Sequence, residues 1–340
     1  VDTLLRPLFE KLTARRDLCR DEARLLFDRV MEGAVPEIVL GAFVGALRTK
    51  GVVVDELVGA ALAMRARSVK VRCAANCIDT CGTGGDGIST FNVSTAAAII
   101  AASAGATVAK HGNRSSSRVS GSTEVLDVLG IDTEAGVDVV ERCLAEARIG
   151  YLNARLLHPA MKHASPVRQA IGVRTIFNLL GPLTNPAGAK RQILGVPRPE
   201  LLDLVAGALL ELDAEHAWVL HGGGLCDLTI TDETTIVEVR SGRLRRRVVT
   251  PESVGLKRAI LSDLMVSSPG QSAAVMLDVF RGQRGPQRDH ALLSAGAALV
   301  VAGVAEDLTA GVQAASAAVD DGRAMVTLAQ WRSLAPRPEG

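Results

Sequence analysis

From residue 77 onward, short apolar segments run into glycine-rich loops that feed alanine-rich helices: "CIDTCGTGGDG" leads into "STAAAIIAASAG", and "ATVAKHGNR" into "STEVLDVLG". Strands that return through a helix each time pair in parallel, because only a crossover of that length can bring the chain back to the same end of a sheet. The expected fold is therefore α/β with a mostly parallel central sheet. Further along, "QILGV", a helix through "ELLDLVAGALLEL", the strand "AWVLHGG" and two β-rich pieces, "DLTI" and "TTIVEVR", continue it, and two helices from about Asp289 and Asp307 close the chain. The first seventy residues follow a different pattern. Leu4, Leu5, Leu8, Phe9 and Leu12 keep helical spacing, Asp21 and Glu22 open a second helix, Pro36 and Glu37 a third, and Asp55 and Glu56 a fourth. The helical, proline-punctuated stretch "HPAMKHASPVRQAIGVRTIFNLLGPLTNPAG" (158–188) interrupts the α/β alternation and is expected to rejoin this helical part. The expected domains are residues 1–72 plus about 158–186, small and all-helical, and residues 73–157 plus 187–340, larger and α/β.

With 340 residues, 48% of them hydrophobic, the chain can bury a large core. Its 38 basic and 37 acidic side chains leave a formal charge of +1, so nothing in the global balance draws it to nucleic acid or to a membrane surface. No apolar run approaches the roughly 18 residues of a membrane span, and "VDTLLRPLFEKLTARRD" at the start lacks a signal-peptide core, which points to the cytoplasm. Six cysteines are too sparse for a disulfide framework; Cys73, Cys77 and Cys81 recur every four residues, but idle thiols suit "CIDTC" better than a ligand set. The basic run "RLRRRVV" (243–249) lacks aromatic partners and is expected to be a solvated edge strand.

The chemistry concentrates in two loops. In "CGTGGDGISTFNVST" (81–95), glycines at 82, 84, 85 and 87 let backbone N–H groups converge on an anion, and the following helix adds the positive end of its dipole. The spacing is neither that of a dinucleotide fingerprint nor that of a P-loop. Asn92, Ser94 and Thr95 then present donors for a second phosphate. The loop "AKHGNRSSSRVSGSTE" (109–124) again follows a strand and brings Lys110, His111, Asn113, Arg114, Arg118 and several serines. Two such loops meet at the carboxyl edge of a parallel sheet, where ligands of α/β folds bind. Together they describe a site for a doubly phosphorylated sugar.

Taken in order and spacing, "GTGGDG", "FNVST", "KHGNR", "SGSTEVL", "HPAMKHASPVR" and "GVRTIFNLLGPLTNPA" make the chain resemble the anthranilate phosphoribosyltransferases over nearly its whole length. The resemblance implies a fold shared with pyrimidine nucleoside phosphorylases, in which a small helical domain is hinged to a larger α/β domain, and a homodimer formed through the small domain. It implies transfer of ribose 5-phosphate from phosphoribosyl pyrophosphate (PRPP) to the amine of anthranilate, with Mg²⁺ as cofactor. By the same resemblance Gly82, Gly85, Asp86, Thr90, Asn92, Val93, Ser94 and Thr95 contact PRPP, and Lys110, His111, Gly112, Asn113, Arg114, Ser115, Ser116, Ser117, Arg118 and Ser122 form the other wall. Gly82, Asn113 and Arg168 face anthranilate, with His111 and His158 along the acceptor path and Pro182 shaping the channel wall. Ser94 touches the metal.

Two departures bear on chemistry. Where the family carries a paired Asp-Glu for Mg²⁺, this chain has Cys226 and Asp227 in "HGGGLCDLTI"; where the family carries Phe-Ala-Pro near the acceptor, it has Asn153, Ala154 and Arg155. The second change keeps open another aromatic amine as acceptor. A non-catalytic, nucleic-acid-binding relative of the same fold and a pyrimidine nucleoside phosphorylase are the remaining readings; the near-neutral charge and the intact "KHGNR" weigh against the first, and the full double loop against the second.

Overall fold

The computed structural model describes residues 3–114 and 119–338. Four helices open it: α1 (Arg6–Thr13), α2 (Arg20–Met31), α3 (Glu37–Lys50) and α4 (Val54–Ala66). Each begins where the acidic or proline start signals stand. Glu22 reaches back to the Cys19 N–H at 2.9 Å and Glu56 to the Val53 N–H at 3.1 Å, so α2 and α4 each satisfy a donor that their first turn leaves open. Glu56 is fully buried and also binds the Leu18 N–H, tying the α1–α2 connection to α4.

The α/β part follows as β1 (Ile78–Asp79), α5 (Val93–Ser103), β2 (Val108–Gly112), α6 (Ser122–Val128), α7 (Val137–Glu146) and β3 (Ile149–Asn153). Then come the short helices α8 (Ala154–Leu157), α9 (Ser165–Ile171) and α10 (Phe177–Leu183). β4 (Arg191–Gly195), α11 (Leu202–Glu211), β5 (His216–Gly222), β6 (Thr234–Arg240) and β7 (Arg243–Val249) resume the sheet. Four helices close the chain: α12 (Pro269–Phe280), α13 (Pro286–Ala302), α14 (Leu308–Asp320) and α15 (Arg323–Leu334).

The seven-stranded sheet has the order β3-β2-β1-β4-β5-β6-β7. β3, β2, β1, β4 and β5 are parallel, whereas β6 and β7 are added antiparallel. The chain moves from β1 to one side through β2 and β3, and to the other side through β4 and β5. β1 and β4 therefore flank the switch point, where the loops at the carboxyl ends part and leave a crevice. Alternation along β5 joins two cores: Trp218 and Leu220 pack with α5 and the closing helices, while Ala217 and Val219 pack with α11 and the N-terminal helices. α10 packs on α4 and α9 on α3, so the middle helical stretch meets the N-terminal bundle. No helix among the described residues is long and apolar enough to cross a membrane.

Two expectations need correction. Four closing helices stand where two were expected: Ser268 Oγ accepts from Gln271 N–H at 3.1 Å and starts α12 at Pro269, and Gly322, with φ +75°, breaks the chain between α14 and α15. "DLTI" (227–230) forms no strand: Thr229 N–H donates to Thr234 Oγ1, and Thr231 N–H donates to Thr229 Oγ1, so side chains take the donors a ladder would need. The basic run does form the edge strand β7, with most of its arginines solvated.

Candidate active site

At the switch point the loops after β1, β2 and β5 and the helical stretch α8–α10 enclose a cleft of about 970 Å³. Close backbone approach makes this possible. A Cβ on Gly195, at the end of β4, would lie 1.6 Å from the Cys226 carbonyl oxygen, so only glycine lets the loop carrying Cys226 and Asp227 rest on the strand end.

The glycine loop wraps the start of α5. Asn92 Oδ1 accepts from Thr95 N–H at 3.2 Å and caps the helix, and Asn92 N–H donates to Ser272 Oγ at 2.9 Å, which ties the cap to α12. Gly82, Gly85, Asn92, Val93 and Ser94 line the cleft. Asp86, Thr90 and Thr95 do not. The Asp86 carboxylate accepts from Cys226 N–H at 3.0 Å and Ile88 N–H at 3.3 Å; Thr90 is buried in a bridge to Met265; Thr95 is buried in the first turn of α5, its hydroxyl 3.4 Å from Ser122 Oγ.

From β2 come Lys110, His111 and Gly112, followed by Asn113 and Arg114, and all five line the cleft together with Ser122. Lys110 is buried, its ammonium 3.3 Å from Ser94 Oγ and 3.4 Å from Thr80 Oγ1. Burial lowers its pKa, while Cys81, Asp79 and Asp227 push the other way. Arg114 reaches Asp127 at 3.7 Å. Ser115, Ser116, Ser117 and Arg118 lie outside the described residues.

The two histidines form a neutral chain. Gly181 O can only accept, so His111 Nδ1 donates to it at 3.0 Å; His111 Nε2 is then an acceptor, and His158 Nε2–H donates to it at 3.2 Å. Burial holds the imidazoles neutral, with pKa lowered to about 4 for His111 and about 3 for His158. His158 Nδ1 is buried without a partner among the described residues. Asp79, Cys81 and His111 bring potential ligand atoms within 4.8 Å of one another. Yet Asp79 already accepts from Asn185 Nδ2 at 2.7 Å and His111 N–H at 3.1 Å, and both imidazole nitrogens are engaged, so this trio serves as support for the loops. Desolvation raises the Asp79 pKa to about 6.

Arg168, on α9, lines the helical wall with its guanidinium 5.7 Å from the Phe177 ring centre, and burial lowers its pKa. Asp227 and Cys226 line the same cleft. Arg155, singled out in the sequence as a departure near the acceptor, also lines it, as do Arg174, Lys162 and Asn178, which the sequence did not single out. They stand on the helical stretch, and no periodicity announces which of its residues turn inward; the quoted "GVRTIFN" contained two of them.

Comparison with known proteins agrees with this geometry. The model of the glycosyl transferase family a/b domain matches residues 74–325, and that of the family's helical bundle domain matches residues 6–68. The anthranilate phosphoribosyltransferase of Anaeromyxobacter sp. (strain Fw109-5) is 47% identical over 96% of this chain and 97% of its own. That of Methylocella silvestris is 46% identical over 96% and 94%. Among solved structures, the Thermus thermophilus enzyme superposes with a TM-score of 0.91 at 40% identity, covering 96% of this chain and 98% of that one. The Saccharomyces cerevisiae enzyme in complex with PRPP and Mg superposes with a TM-score of 0.89 at 25% identity, covering 98% of both. With both domains matched end to end and the glycine loop, the "KHGNR" loop and Arg168 gathered around one cleft, the chain belongs to the anthranilate phosphoribosyltransferase family.

Proposed function

We propose that the protein transfers the 5-phosphoribosyl group of PRPP to the amine of anthranilate, a step of tryptophan biosynthesis, and releases pyrophosphate. The observation that carries this reading is the joining of two anion-binding loops with Arg168 in one cleft. In the reaction the bond between C1 of the ribose and the pyrophosphate oxygen breaks, its electron pair leaving with pyrophosphate. The amine nitrogen forms the new bond to C1 and gives up a proton. Positive charge builds on the sugar and negative charge on the leaving group, so fixed donors aimed at the latter lower the barrier. The glycine-loop amides, the α5 amino terminus and Lys110 supply them. Arg168 would take the anthranilate carboxylate and hold the amine toward C1. An aromatic amine is neutral at pH 7, so it needs no strong base, and in the neutral histidine chain His158 Nδ1 alone is left to accept from it.

Ser94 and Asp227 offer hard oxygen ligands on the cleft wall and fit Mg²⁺ together with phosphate oxygens of the donor, whereas the buried Cys226 thiol is soft and does not fit. When bound, Mg²⁺ would neutralise charge on the departing pyrophosphate. The proposal includes a cytoplasmic homodimer formed through the helical domain; exposed Leu4, Leu25 and Ile38 on the N-terminal bundle support that surface. It also includes a division of the chain at residues 1–72 plus about 158–186 against the rest, supported by the packing of α9 and α10 on α3 and α4.

A second reading, transfer to a different aromatic amine, is favoured by Arg155, which lines the cleft where the family resemblance places a proline. One assay decides: PRPP consumption with Mg²⁺ against a panel of aromatic amines, with loss of anthranilate fluorescence as direct readout. Turnover of anthranilate above the other amines is expected. PRPP consumption with another amine alone would overturn the assignment in favour of the second reading.

A further inference from the structure

Arg174 lies between α9 and α10, yet its side chain reaches the glycine loop. A Cβ built on Gly85 would stand 1.4 Å from its Nη1 and 2.4 Å from its Cζ, so the guanidinium fills the space that a side chain at position 85 would take. Gly85 itself has φ +89°, a left-handed conformation that favours glycine, and lines the cleft. The base of Arg174 is anchored. Its carbonyl accepts from Arg48 Nη1 on α3, and the next residue, Thr175, donates its N–H to Asn178 Oδ1 at 2.8 Å. The tip is not. Among the described residues the guanidinium makes a single hydrogen bond, a long one of 3.5 Å to Thr83 O, and no ion pair.

A half-buried guanidinium with most of its N–H groups unspent is costly unless an anion completes it. Asp86 acts on it only at a distance, its carboxylate accepting from the Cys226 and Ile88 amides, and position 226 carries a thiol. Opposite stand the loop amides and the α5 amino terminus, which attract phosphate. We propose that Arg174 is a phosphate-binding residue of the donor site, reaching from the helical stretch across the glycine loop to take a phosphate group of PRPP through its planar fork. Through Arg48, the same contact links bound phosphate to the N-terminal helices. The inference rests on the phosphoribosyl-transfer reading of this cleft.

The test is calorimetric titration of the wild-type protein, Arg174→Gln and Arg174→Lys with PRPP, inorganic pyrophosphate and ribose 5-phosphate, each with Mg²⁺, beside KM values for both substrates. Arg174→Gln is expected to weaken PRPP binding about 10- to 100-fold, with KM for anthranilate changed less than about threefold. Arg174→Lys should recover part of the loss, since it keeps the charge but not the fork. Whichever fragment loses affinity in parallel, pyrophosphate or ribose 5-phosphate, names the phosphate held. Unchanged affinity of the glutamine variant for all three ligands overturns the proposal, as does an equal loss for PRPP and anthranilate, the mark of a structural role. Should the glutamine variant fail to fold, wild-type PRPP affinity in Arg174→Lys overturns the bidentate contact. If the wild-type protein binds PRPP but turns over no amine, the functional reading falls while this inference stands or falls on the variants alone.

Discussion

Arg168 follows a helix-starting proline, a place where a solvated surface arginine is equally at home, and the structure decides the matter by placing the guanidinium against Phe177 on the cleft wall. Arg168→Ala is expected to raise KM for anthranilate about 10- to 100-fold, the equivalent of a charge-assisted hydrogen bond of roughly 1.5 to 3 kcal/mol, with KM for PRPP nearly unchanged. Steady-state kinetics with each substrate varied in turn checks it, and equal effects on both would sink the role. Cys226 makes the second prediction at this scale. By the family resemblance its thiol stands where a carboxylate is expected, and a thiol is a poor ligand for a hard cation; on the proposed reading Asp227 would act with the donor's own oxygens. Cys226→Asp should shift Mg²⁺ activation to several-fold lower concentration at saturating substrates. Superimposable activation curves would show that Cys226 only packs against Gly195.

The glycine loop and α5 act as one element. Asn92 caps the helix, and its backbone N–H holds Ser272, so the cap fixes the angle at which α5 aims its amino terminus into the cleft. Asn92→Ala is expected to cost about 1 kcal/mol of stability, the ordinary worth of a cap, while weakening PRPP binding at least tenfold. Melting curves together with calorimetry separate the two effects: a large fall in Tm with unchanged PRPP affinity would make the residue structural only. Much of this element could be read in advance. "GTGGDG…FNVST" announced a glycine-rich loop at the cleft and a capped helix after it, since glycine and cap signals are local. That the Asp86 carboxylate would hold the Cys226 amide and Thr90 would bridge to Met265 could not be read, because those partners come from distant loops.

For the whole molecule, the buried histidine pair couples stability to pH. The folded pKa values of His111 and His158, about 4 and about 3, lie below the unfolded value near 6.5, so the folded state favours neutral rings. Their contribution is fully present above pH 6.5 and is lost as pH falls toward 4. Asp79 works in the opposite direction: its folded pKa of about 6 is raised, so its unfavourable burial is relieved as pH falls below 6. Two depressed histidines outweigh one raised carboxylate, and a net loss of stability is expected between pH 7 and 5. Melting temperatures across that range should fall, and fall less steeply in His158→Gln. An identical slope in the variant would remove the histidine pair as the cause.

The sequence by itself determined the class of fold and the two glycine- and serine-rich loops at the cleft, because parallel alternation, helix start signals and glycine spacing are local and repeat within a few turns of chain. It also carried the motif series over nearly the whole length, and with it the family. Only the tertiary structure decided which residues of the helical stretch face the cleft, since a side chain's direction there depends on how α9 and α10 seat against α3 and α4. The same holds for the tautomers of His111 and His158 and for the place of Arg174 over Gly85. Each is a contact between residues far apart in sequence, and such contacts exist only once the sheet has brought its loop ends together at the switch point.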